Sequence, residues 1–238
     1  MGIKPFKFKE FSINQDRSAM KIGTDGVLLG AWTSIRNQPF SILDIGAGTG
    51  ILSLMLAQRS NAQVIEAIEI DDNAYEQCAD NFENSPWSDR LFCYHASLLE
   101  YTEEIEEQYD IIICNPPFYS EDYKTEKISR DLARFQDAMP FEHLIFSVSQ
   151  FLAEGGVFSV VIPNKEEEKL VELASKVGLS PKRILHVKGN PEAEVKRSLI
   201  EFSFNDEELK TSELIIENDR HNYTEDYINL TKDFYLKM

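Results

Sequence analysis

The chain has 238 residues, of which 42% are hydrophobic, and it carries a formal net charge of −17 at pH 7. This length and apolar content exclude a disordered chain and fit one α/β domain with short additions. The excess of acidic residues argues against a nucleic-acid ligand, because Lys and Arg neutralise phosphates, and no apolar run of about 18 residues suggests a membrane span.

The first half of the chain alternates between strand and helix. Its strands are short apolar runs and its helices show apolar residues at helical spacing. The predicted elements are strand 41–45, helix 51–58, strand 63–70, helix 72–82, strand 91–95 and strand 109–114. This alternation predicts a Rossmann-like, mostly parallel, doubly wound sheet that binds its ligands at the carboxyl ends of the strands.

The second half begins with a polar segment, 119–137, which is either a substrate loop or a plain surface connection. The alternation of strand and helix then continues as far as Gly178, after which the pattern becomes antiparallel. The predicted elements are a helix over 141–152 that stops at Glu154-Gly155-Gly156, a strand over 157–162, a helix over 166–177, and β-rich runs over 181–187 and 198–204. We expect the last two runs to form an antiparallel hairpin at the end of the sheet.

Cysteine usage and the amino-terminal composition indicate the compartment. Cys78, Cys93 and Cys114 lie inside predicted elements and lack the two-residue spacing of a zinc or redox site. The first residues contain no apolar core of signal-peptide length. We therefore predict a soluble protein of the cytoplasm that binds no metal.

A glycine-rich turn follows the first of these strands. Gly46, Gly48 and Gly50 allow a tight turn and a close approach of a ligand to the backbone. A dinucleotide-binding fingerprint would place its third glycine at position 51, where this chain has Ile51, so a nicotinamide cofactor is disfavoured. Glu69 closes the second strand, where an acidic side chain can accept hydrogen bonds from ribose hydroxyls.

A second turn, Asn115-Pro116-Pro117-Phe118, follows the strand over 109–114. The two prolines fix the direction in which the chain leaves the strand. The Asn115 side-chain oxygen and the Pro116 carbonyl can then accept the two hydrogens of a planar amino group, while the Phe118 ring stacks on the flat group that carries it. Tyr119 is the alternative stacking ring.

Two clusters of basic residues contrast with the acidic average. Each is a candidate for contact with an anionic partner, although a solvated surface is the simpler interpretation. They comprise Lys4, Lys7, Lys9, Arg17 and Lys21 in residues 1–21, and Lys182, Arg183, Lys188, Lys196 and Arg197 in residues 181–198.

The glycine turn and its surroundings resemble motif I of the class I S-adenosylmethionine-dependent methyltransferases. The resemblance implies that Asp44 lies near the methionine end of the cofactor, that Gly46 and Gly48 pass under it, and that Glu69 holds the ribose. That family often has an acid after the third strand, near the adenine. Here Ala96 and Ser97 follow His95 instead, so the Ala96 backbone or Ser97 is the expected adenine contact.

The turn at Asn115 is similar to motif IV of the amino-methyltransferases, which methylate exocyclic nitrogens of bases or the amide of glutamine. The resemblance implies catalytic roles for Asn115, Pro116 and Phe118, with Asn115 also beside the cofactor. Guanine-N2 methyltransferases of ribosomal RNA and protein-glutamine N5 methyltransferases share the motif and remain alternatives, as does a non-catalytic nucleotide-binding module.

Over its full length the chain most resembles the bacterial adenine-N6 methyltransferases that modify valine tRNA beside the anticodon. The segments that carry this resemblance are 11–16, 21–32 and 223–235. It implies that Thr24, Asp25 and Gly26 border the cofactor and that basic residues, Lys4, Lys7, Lys196 and Arg197 among them, contact tRNA. We expect a monomer with one methyltransferase domain over 1–238, in which 1–40 is a cap on the substrate side and 205–238 is a carboxyl-terminal extension.

Overall fold

The computed structural model describes residues 4–117 and 139–238. Helices and strands alternate through most of the chain. The strands are β1 (Phe6–Lys7), β2 (Ser12–Ile13), β3 (Ser41–Ile45), β4 (Val64–Glu69), β5 (Leu91–His95), β6 (Tyr109–Cys114), β7 (Leu152–Pro163), β8 (Ser180–Lys188), β9 (Arg197–Ser203), β10 (Lys210–Ile215), β11 (Glu217–Asp219) and β12 (Asn222–Tyr223). The helices are α1 (Thr24–Trp32), α2 (Ile51–Arg59), α3 (Asp72–Glu83), α4 (Leu98–Glu104), α5 (Phe141–Phe151), α6 (Glu167–Lys176) and α7 (Glu225–Thr231), with a 3-10 turn at Asn164–Glu166.

The central sheet has eight strands in the order β10-β8-β9-β7-β6-β3-β4-β5. Strands β3 to β7 run parallel to one another, and β9 is antiparallel to both of its neighbours. The strand order reverses between β3 and β6. These two strands are adjacent, but the helices that follow them, α2 and α5, cover opposite faces of the sheet. The crevice at such a reversal is where doubly wound sheets bind ligands, and the predicted Rossmann-like fold is confirmed.

Two hydrophobic cores cover the two faces of the sheet, and strand alternation assigns side chains to them. Ile42 of β3 and Ile111 of β6 join the core under α1 to α3, whereas Leu43 and Ile112, one residue on, join the core under α4 to α6. Burial on both faces explains why these strands are almost continuously apolar.

Helix α1 packs closely on α2 through two small residues one turn apart. A Cβ at Gly30 would lie 2.7 Å from Met55 Sδ, and a Cβ at Gly26 would lie 3.5 Å from Ile51 Cγ2. The next residue in reach of Gly26 is Asn115, whose Nδ2 would be 3.8 Å from that Cβ. The glycines therefore bring the first turn of α1 against the end of β6.

The residues around Phe8 and the carboxyl-terminal segment lie together, away from the glycine turn. Phe8 pairs with Tyr235, and Lys9 Nζ donates to the Lys232 carbonyl at 2.6 Å. Gln58, in the last turn of α2, donates to the Asp233 carbonyl at 3.0 Å. Because α2 begins at the glycine turn, these contacts belong to the far end. Within the described ranges, no helix is both long and apolar enough to cross a membrane.

Two expectations about the second half were wrong. Helix α5 ends at Phe151, and β7 begins directly after it, so Gly155 and Gly156 lie inside the strand. The register of β7 against β6 shifts there, and a Cβ at Gly156 would lie 3.0 Å from the Tyr109 carbonyl oxygen. The glycines therefore permit a bulge with close backbone approach, and they do not stop a helix.

The antiparallel pair β8–β9 is present, but it does not end the sheet. Strand β10 adds to β8 in parallel and forms the edge. The first four residues of β10 are exposed and Leu214 is its buried residue. An edge strand with so little apolar surface gives a weak sequence signal, which is why the segment was not recognised.

Candidate active site

The glycine turn and the Asn115 turn follow adjacent parallel strands. Ile45 of β3 pairs with Cys114 of β6, so the residues after each strand emerge side by side at the carboxyl edge. They line one cleft of about 720 Å³, a volume that includes its open mouth. The cleft brings together six of the predicted cofactor residues: Gly46, Gly48, Glu69, Ala96, Ser97 and Asn115.

All three glycines of the turn have positive φ, which a side chain would strain. Their surroundings differ. A Cβ at Gly50 would lie 2.5 Å from Phe82 Cε1 and 2.9 Å from Cys78 Sγ, so Gly50 is needed for packing on α3. A Cβ at Gly48 would meet nothing within 4 Å. The open space over Gly48 belongs to the cleft and leaves room for a ligand against the backbone.

Glu69 lies at the end of β4 and supports the glycine turn directly. Its Oε2 accepts from the Gly48 N–H at 2.7 Å, and its Oε1 accepts from the Asp71 N–H at 2.9 Å. The side chain is buried, and this burial raises the pKa of the carboxyl group. Glu69 thus presents a fixed acceptor to the cleft beside the backbone of the turn.

Asp44 lies beneath the turn and is completely buried. Its Oδ2 accepts from the Ser53 N–H at 3.1 Å and from the Ser53 hydroxyl at 2.8 Å. Its Oδ1 has no partner in the described residues. Burial raises the pKa of Asp44 to about 7, against the hydrogen bonds from Ser53 that lower it. A buried carboxylate oxygen without a donor is the arrangement expected where a ligand supplies the missing donor.

This raised pKa predicts how stability depends on pH. A carboxyl group that binds its proton more tightly when folded stabilises the protein fully below its unfolded pKa, near 3.8, and loses that contribution as pH rises to about 7. The replacement Asp44→Asn removes the effect. The unfolding free energy of the variant minus that of the wild type should therefore increase by on the order of 4 kcal/mol between about pH 4 and pH 8, because only the wild type loses stability over this range.

Urea denaturation of the ligand-free protein at several pH values measures this difference. Asp72→Asn is the matched control, since the Asp72 side chain is 85% exposed and its loss should give no comparable trend. A difference for Asp44→Asn that stays constant with pH would contradict the prediction.

Asn115 is half-buried at the wall of the cleft. Its amide makes no hydrogen bond with any residue in the described ranges. Pro116, next to it, is buried. No described residue therefore competes with a ligand in the cleft for the Asn115 oxygen. Phe118 and Tyr119 lie outside the described residues.

Ala96 and Ser97 line the cleft, but their backbone donors are occupied. The Ala96 N–H donates to the Glu69 carbonyl at 3.2 Å. Ser97 caps α4 through a capping box, in which its N–H donates to Glu100 Oε2 at 2.9 Å and its hydroxyl accepts from the Glu100 N–H. Contacts from these two residues to a ligand would use the Ser97 hydroxyl hydrogen or the Ala96 methyl group.

Thr24, Asp25 and Gly26 form the first turn of α1, outside the lining of the cleft. Gly26 lies against Asn115, as described above. Asp25 Oδ2 accepts from Arg197 Nε at 2.7 Å, which joins α1 to the start of β9. The predicted tRNA contact Arg197 is therefore engaged with the predicted cofactor residue Asp25, and together they fix α1 beside the end of β6.

The predicted tRNA contacts separate into two regions. Lys196 and Arg197 lie at the carboxyl edge of the sheet, because Arg197 pairs with Pro163 at the end of β7. Lys7, in β1, pairs with Ser12 and lies next to Phe8, which pairs with Tyr235 of the carboxyl-terminal segment; Lys4 precedes β1. The fold brings Lys196 and Arg197 of the second cluster to the carboxyl edge, and Arg17 and Lys21 of the first cluster flank the cleft wall formed by Ser18 to Met20.

Part of the cleft comes from residues that sequence reasoning missed. Ser18, Ala19 and Met20 form one wall. This segment is held to α3, where Asn81 Oδ1 accepts from the Asn14 N–H and Asn81 Nδ2 donates to the carbonyls of Asn14 and Thr49, each at 2.9 Å. Asn81 therefore ties the amino-terminal segment to the glycine turn. The sequence signal that could have revealed this contact is Asn81, a polar residue on the buried side of the predicted helix 72–82.

S-adenosylmethionine fits these residues. The open backbone at Gly48 accommodates a bulky ligand, the free Oδ1 of Asp44 awaits a donor, and Glu69 offers carboxylate oxygens to hydroxyl groups. The described ranges contain no group of three or more His, Cys, Asp or Glu side chains that could hold a metal ion. Fold and site together define a class I S-adenosylmethionine-dependent methyltransferase.

Comparisons with known proteins narrow this class. Residues 26–179 match the family model described as the methyltransferase small domain. The chain is 63% identical over 233 residues to the tRNA1(Val) (adenine(37)-N6)-methyltransferase of Flavobacterium psychrophilum, which covers 98% of this chain and 100% of the relative. It is 44% identical over 234 residues to the protein of that name from Bacteroides fragilis, with 98% of each chain covered. The chain belongs to the family of the tRNA1(Val) (adenine(37)-N6)-methyltransferases, and its cofactor is S-adenosylmethionine.

Solved structures support the fold. A predicted O-methyltransferase from Agrobacterium tumefaciens superimposes with a TM-score of 0.67 at 20% identity, covering 88% of this chain and 96% of that one. A tRNA methyltransferase from M. jannaschii gives a TM-score of 0.59 at 17% identity, covering 85% and 55%. At these identities the likeness concerns the fold alone.

Proposed function

We propose that this enzyme transfers the methyl group of S-adenosylmethionine to N6 of adenine 37 in tRNA1(Val), in the cytoplasm where tRNA is used. The observation that carries the proposal is the position of Asn115 at the wall of the cofactor cleft, where its amide has no hydrogen-bond partner among residues 4–117 and 139–238. It stands in a chain that is 63% identical to a relative named for this reaction.

The chemistry requires positioning of a weak nucleophile. When bound, S-adenosylmethionine supplies an electrophilic methyl group on its sulfonium sulfur. The lone pair of an adenine amino group is delocalised into the ring. In our proposal, the Asn115 oxygen and the Pro116 carbonyl accept the two amino hydrogens, which favours a pyramidal nitrogen and directs its lone pair toward the cleft. Positioning and electrostatics of this kind supply most of the catalysis without a strong general base.

Further roles are proposed from the resemblance and the placement together. Asp44 faces the methionine end of the cofactor, the backbone of Gly46 and Gly48 forms its floor, and Glu69 accepts from the ribose hydroxyls. Gly26 and its turn of α1 set the position of Asn115. For Phe118, with Tyr119 as the alternative, we keep the proposal that the ring stacks on the adenine; it rests on the sequence alone.

We also propose that the chain is a single methyltransferase domain that acts as a monomer. Shared burial supports one domain: Phe8, Tyr227 and Phe234 from the terminal segments belong to the same hydrophobic cluster as Ile42 and Leu54 of the central sheet and α2. Residues 1–40 and 205–238 are then additions that complete the core of the domain.

The function is tested with an unmodified transcript of tRNA1(Val) and isotopically labelled S-adenosylmethionine. We expect mass spectrometry of the digested product to show N6-methyladenosine. A transcript with guanine in place of adenine 37 is the control and should accept no label. If N6-methyladenosine does not form, the proposal is wrong, and label in a guanine of ribosomal RNA or in a protein glutamine would identify the alternative substrate.

A further inference from the structure

Most basic side chains in the described ranges are already engaged. They hydrogen-bond backbone carbonyls, as Arg59 and Arg90 do, or they pair with acids, as Arg17, Lys188 and Arg197 do. Eight basic side chains have no partner for their charged groups within residues 4–117 and 139–238. They are Lys4, Lys7, Arg36, Lys165, Lys196, Lys210, Arg220 and Lys237. Among the described residues, these cations are the ones able to bind an anionic ligand without first breaking an internal contact.

The topology divides these free cations between the two edges of the sheet. Lys210 begins β10, which runs parallel to β8, and therefore lies at the amino edge. Lys165, Lys196 and Arg220 lie at the carboxyl edge, where the cleft opens. Arg220 is in the short β11–β12 connection beside the acids Glu217 and Asp219, which reduce its attraction for an anion. Lys165 and Lys196 remain.

A backbone contact brings Lys165 and Lys196 together. The Asn164 N–H donates to the Lys196 carbonyl at 3.2 Å, where β7 ends and β9 begins. Lys196 is the acceptor in this contact and Lys165 follows the donor Asn164; both lysines are exposed. They form a pair of positive charges at the carboxyl edge, which we name the lysine pair.

Two charged residues next to the lysine pair, Glu167 and Arg197, are engaged in contacts of their own. Glu167 Oε2 accepts from the Ser198 hydroxyl and lies 2.8 Å from His186 Nε2. Asn164 Nδ2 donates to the Ser198 hydroxyl at 3.0 Å, which fixes the turn that carries Lys165. Arg197 is paired with Asp25. Among the described residues, the acids near the lysine pair that have no partner are Glu166 and Glu168, which follow Lys165, and Glu192 and Glu194 on the loop before Lys196. The two lysines are the unpartnered groups at this position that attract phosphate.

The lysine pair lies beside the amino-group site. Strand β7 is adjacent to β6, with Val160 paired to Cys114, and β9 is the next strand. Neighbouring strands are about 4.8 Å apart, so these elements lie about 5 and 10 Å from the strand that ends at Asn115. The cofactor cleft lies on the other side, over β3, β4 and β5. A nucleotide chain whose base reaches Asn115 can therefore approach over β7 and β9.

We propose that Lys165 and Lys196 bind the RNA phosphates that flank the adenine held at Asn115. The proposal rests on the proposed function and names the surface that receives its substrate. Lysine suits this role, because its compact charge attracts phosphate without a fixed geometry.

The test is the double variant K165A/K196A, assayed for binding of an unmodified tRNA1(Val) transcript at several salt concentrations. Each lost phosphate contact should lower the slope of log K against log salt by nearly one, and together they should weaken binding on the order of 10-fold or more near 0.15 M salt. We expect KM for tRNA to rise accordingly, while kcat at saturating tRNA and the affinity for S-adenosylmethionine remain at wild-type values.

The matched control is K210A/K237A, which removes the same charge from two other unpartnered lysines. It should behave as wild type. Wild-type affinity and salt slope in K165A/K196A, or an equal loss in K210A/K237A, would overturn the proposal. If the double variant lost S-adenosylmethionine binding, the single variants K165A and K196A would be measured instead, each with about half the change in slope. A wild-type protein that forms no N6-methyladenosine would refute the proposed function itself.

Discussion

The replacement Asn115→Ala is expected to lower the rate of methyl transfer by at least about 100-fold, the usual cost of removing one preorganised hydrogen-bonding group from an active site. The loss should appear in kcat, because the amide acts on the amino group while it becomes pyramidal. The affinity for S-adenosylmethionine should change little, since the Asn115 amide holds no other described residue in place. Single-turnover transfer and calorimetry measure the two quantities separately.

Asn84→Ala is the matched control for this replacement. Asn84 caps the far end of α3, where its amide donates to the Asp80 carbonyl, and its loss should leave transfer unchanged. Equal losses of transfer and cofactor affinity in Asn115→Ala would contradict the assignment, because they would make Asn115 a structural or cofactor-binding residue and leave the acceptor of the amino group unidentified.

The replacement Glu69→Gln should act on the cofactor. Hydrogen bonds to a charged group contribute about 1.5–3 kcal/mol, so we expect the Kd for S-adenosylmethionine to rise by roughly 10- to 100-fold. The fold should persist, because the amide oxygen can still accept from the Gly48 N–H, and the contact that is lost is the one from the Asp71 N–H. Calorimetric titration gives the affinity, and thermal unfolding without the cofactor checks the fold.

Asp72→Asn serves as the control for Glu69→Gln. Asp72 follows the same strand by three residues but is exposed, and its only described partner is His95 at 3.2 Å. It should bind the cofactor as wild type does. If Glu69→Gln also keeps wild-type affinity, its carboxylate only supports the glycine turn, and another group must hold the ribose.

Several elements were predictable because their signals are local. Strands β5 and β6 were predicted with the observed bounds. The turn after β3 was predicted from Gly46, Gly48 and Gly50, and their positive φ explains why glycine occupies these positions. The bulge at Gly156 was not predictable, because a glycine that follows a helix gives the same sequence pattern whether it ends the helix or allows the backbone of another strand to come close. The Tyr109 carbonyl that comes close to it is contributed by another strand.

The site was predictable to a similar degree. Gly46, Gly48, Glu69 and Asn115 were recognised from their positions at strand ends, and parallel strands bring such positions to one edge. The wall formed by Ser18 to Met20 was not recognised, because it depends on Asn81, which lies more than 60 residues away along the chain.

The sequence by itself determined the strands, the two turns and the chemistry that these turns can perform, because each depends on residues close together in the chain. The tertiary structure alone decided which charges are free. Arg197 and Lys196 are neighbours in sequence, yet one is paired with Asp25 and the other is exposed beside Lys165. Pairing of charges depends on which strands are adjacent, and strand order is a property of the folded chain that no local pattern records.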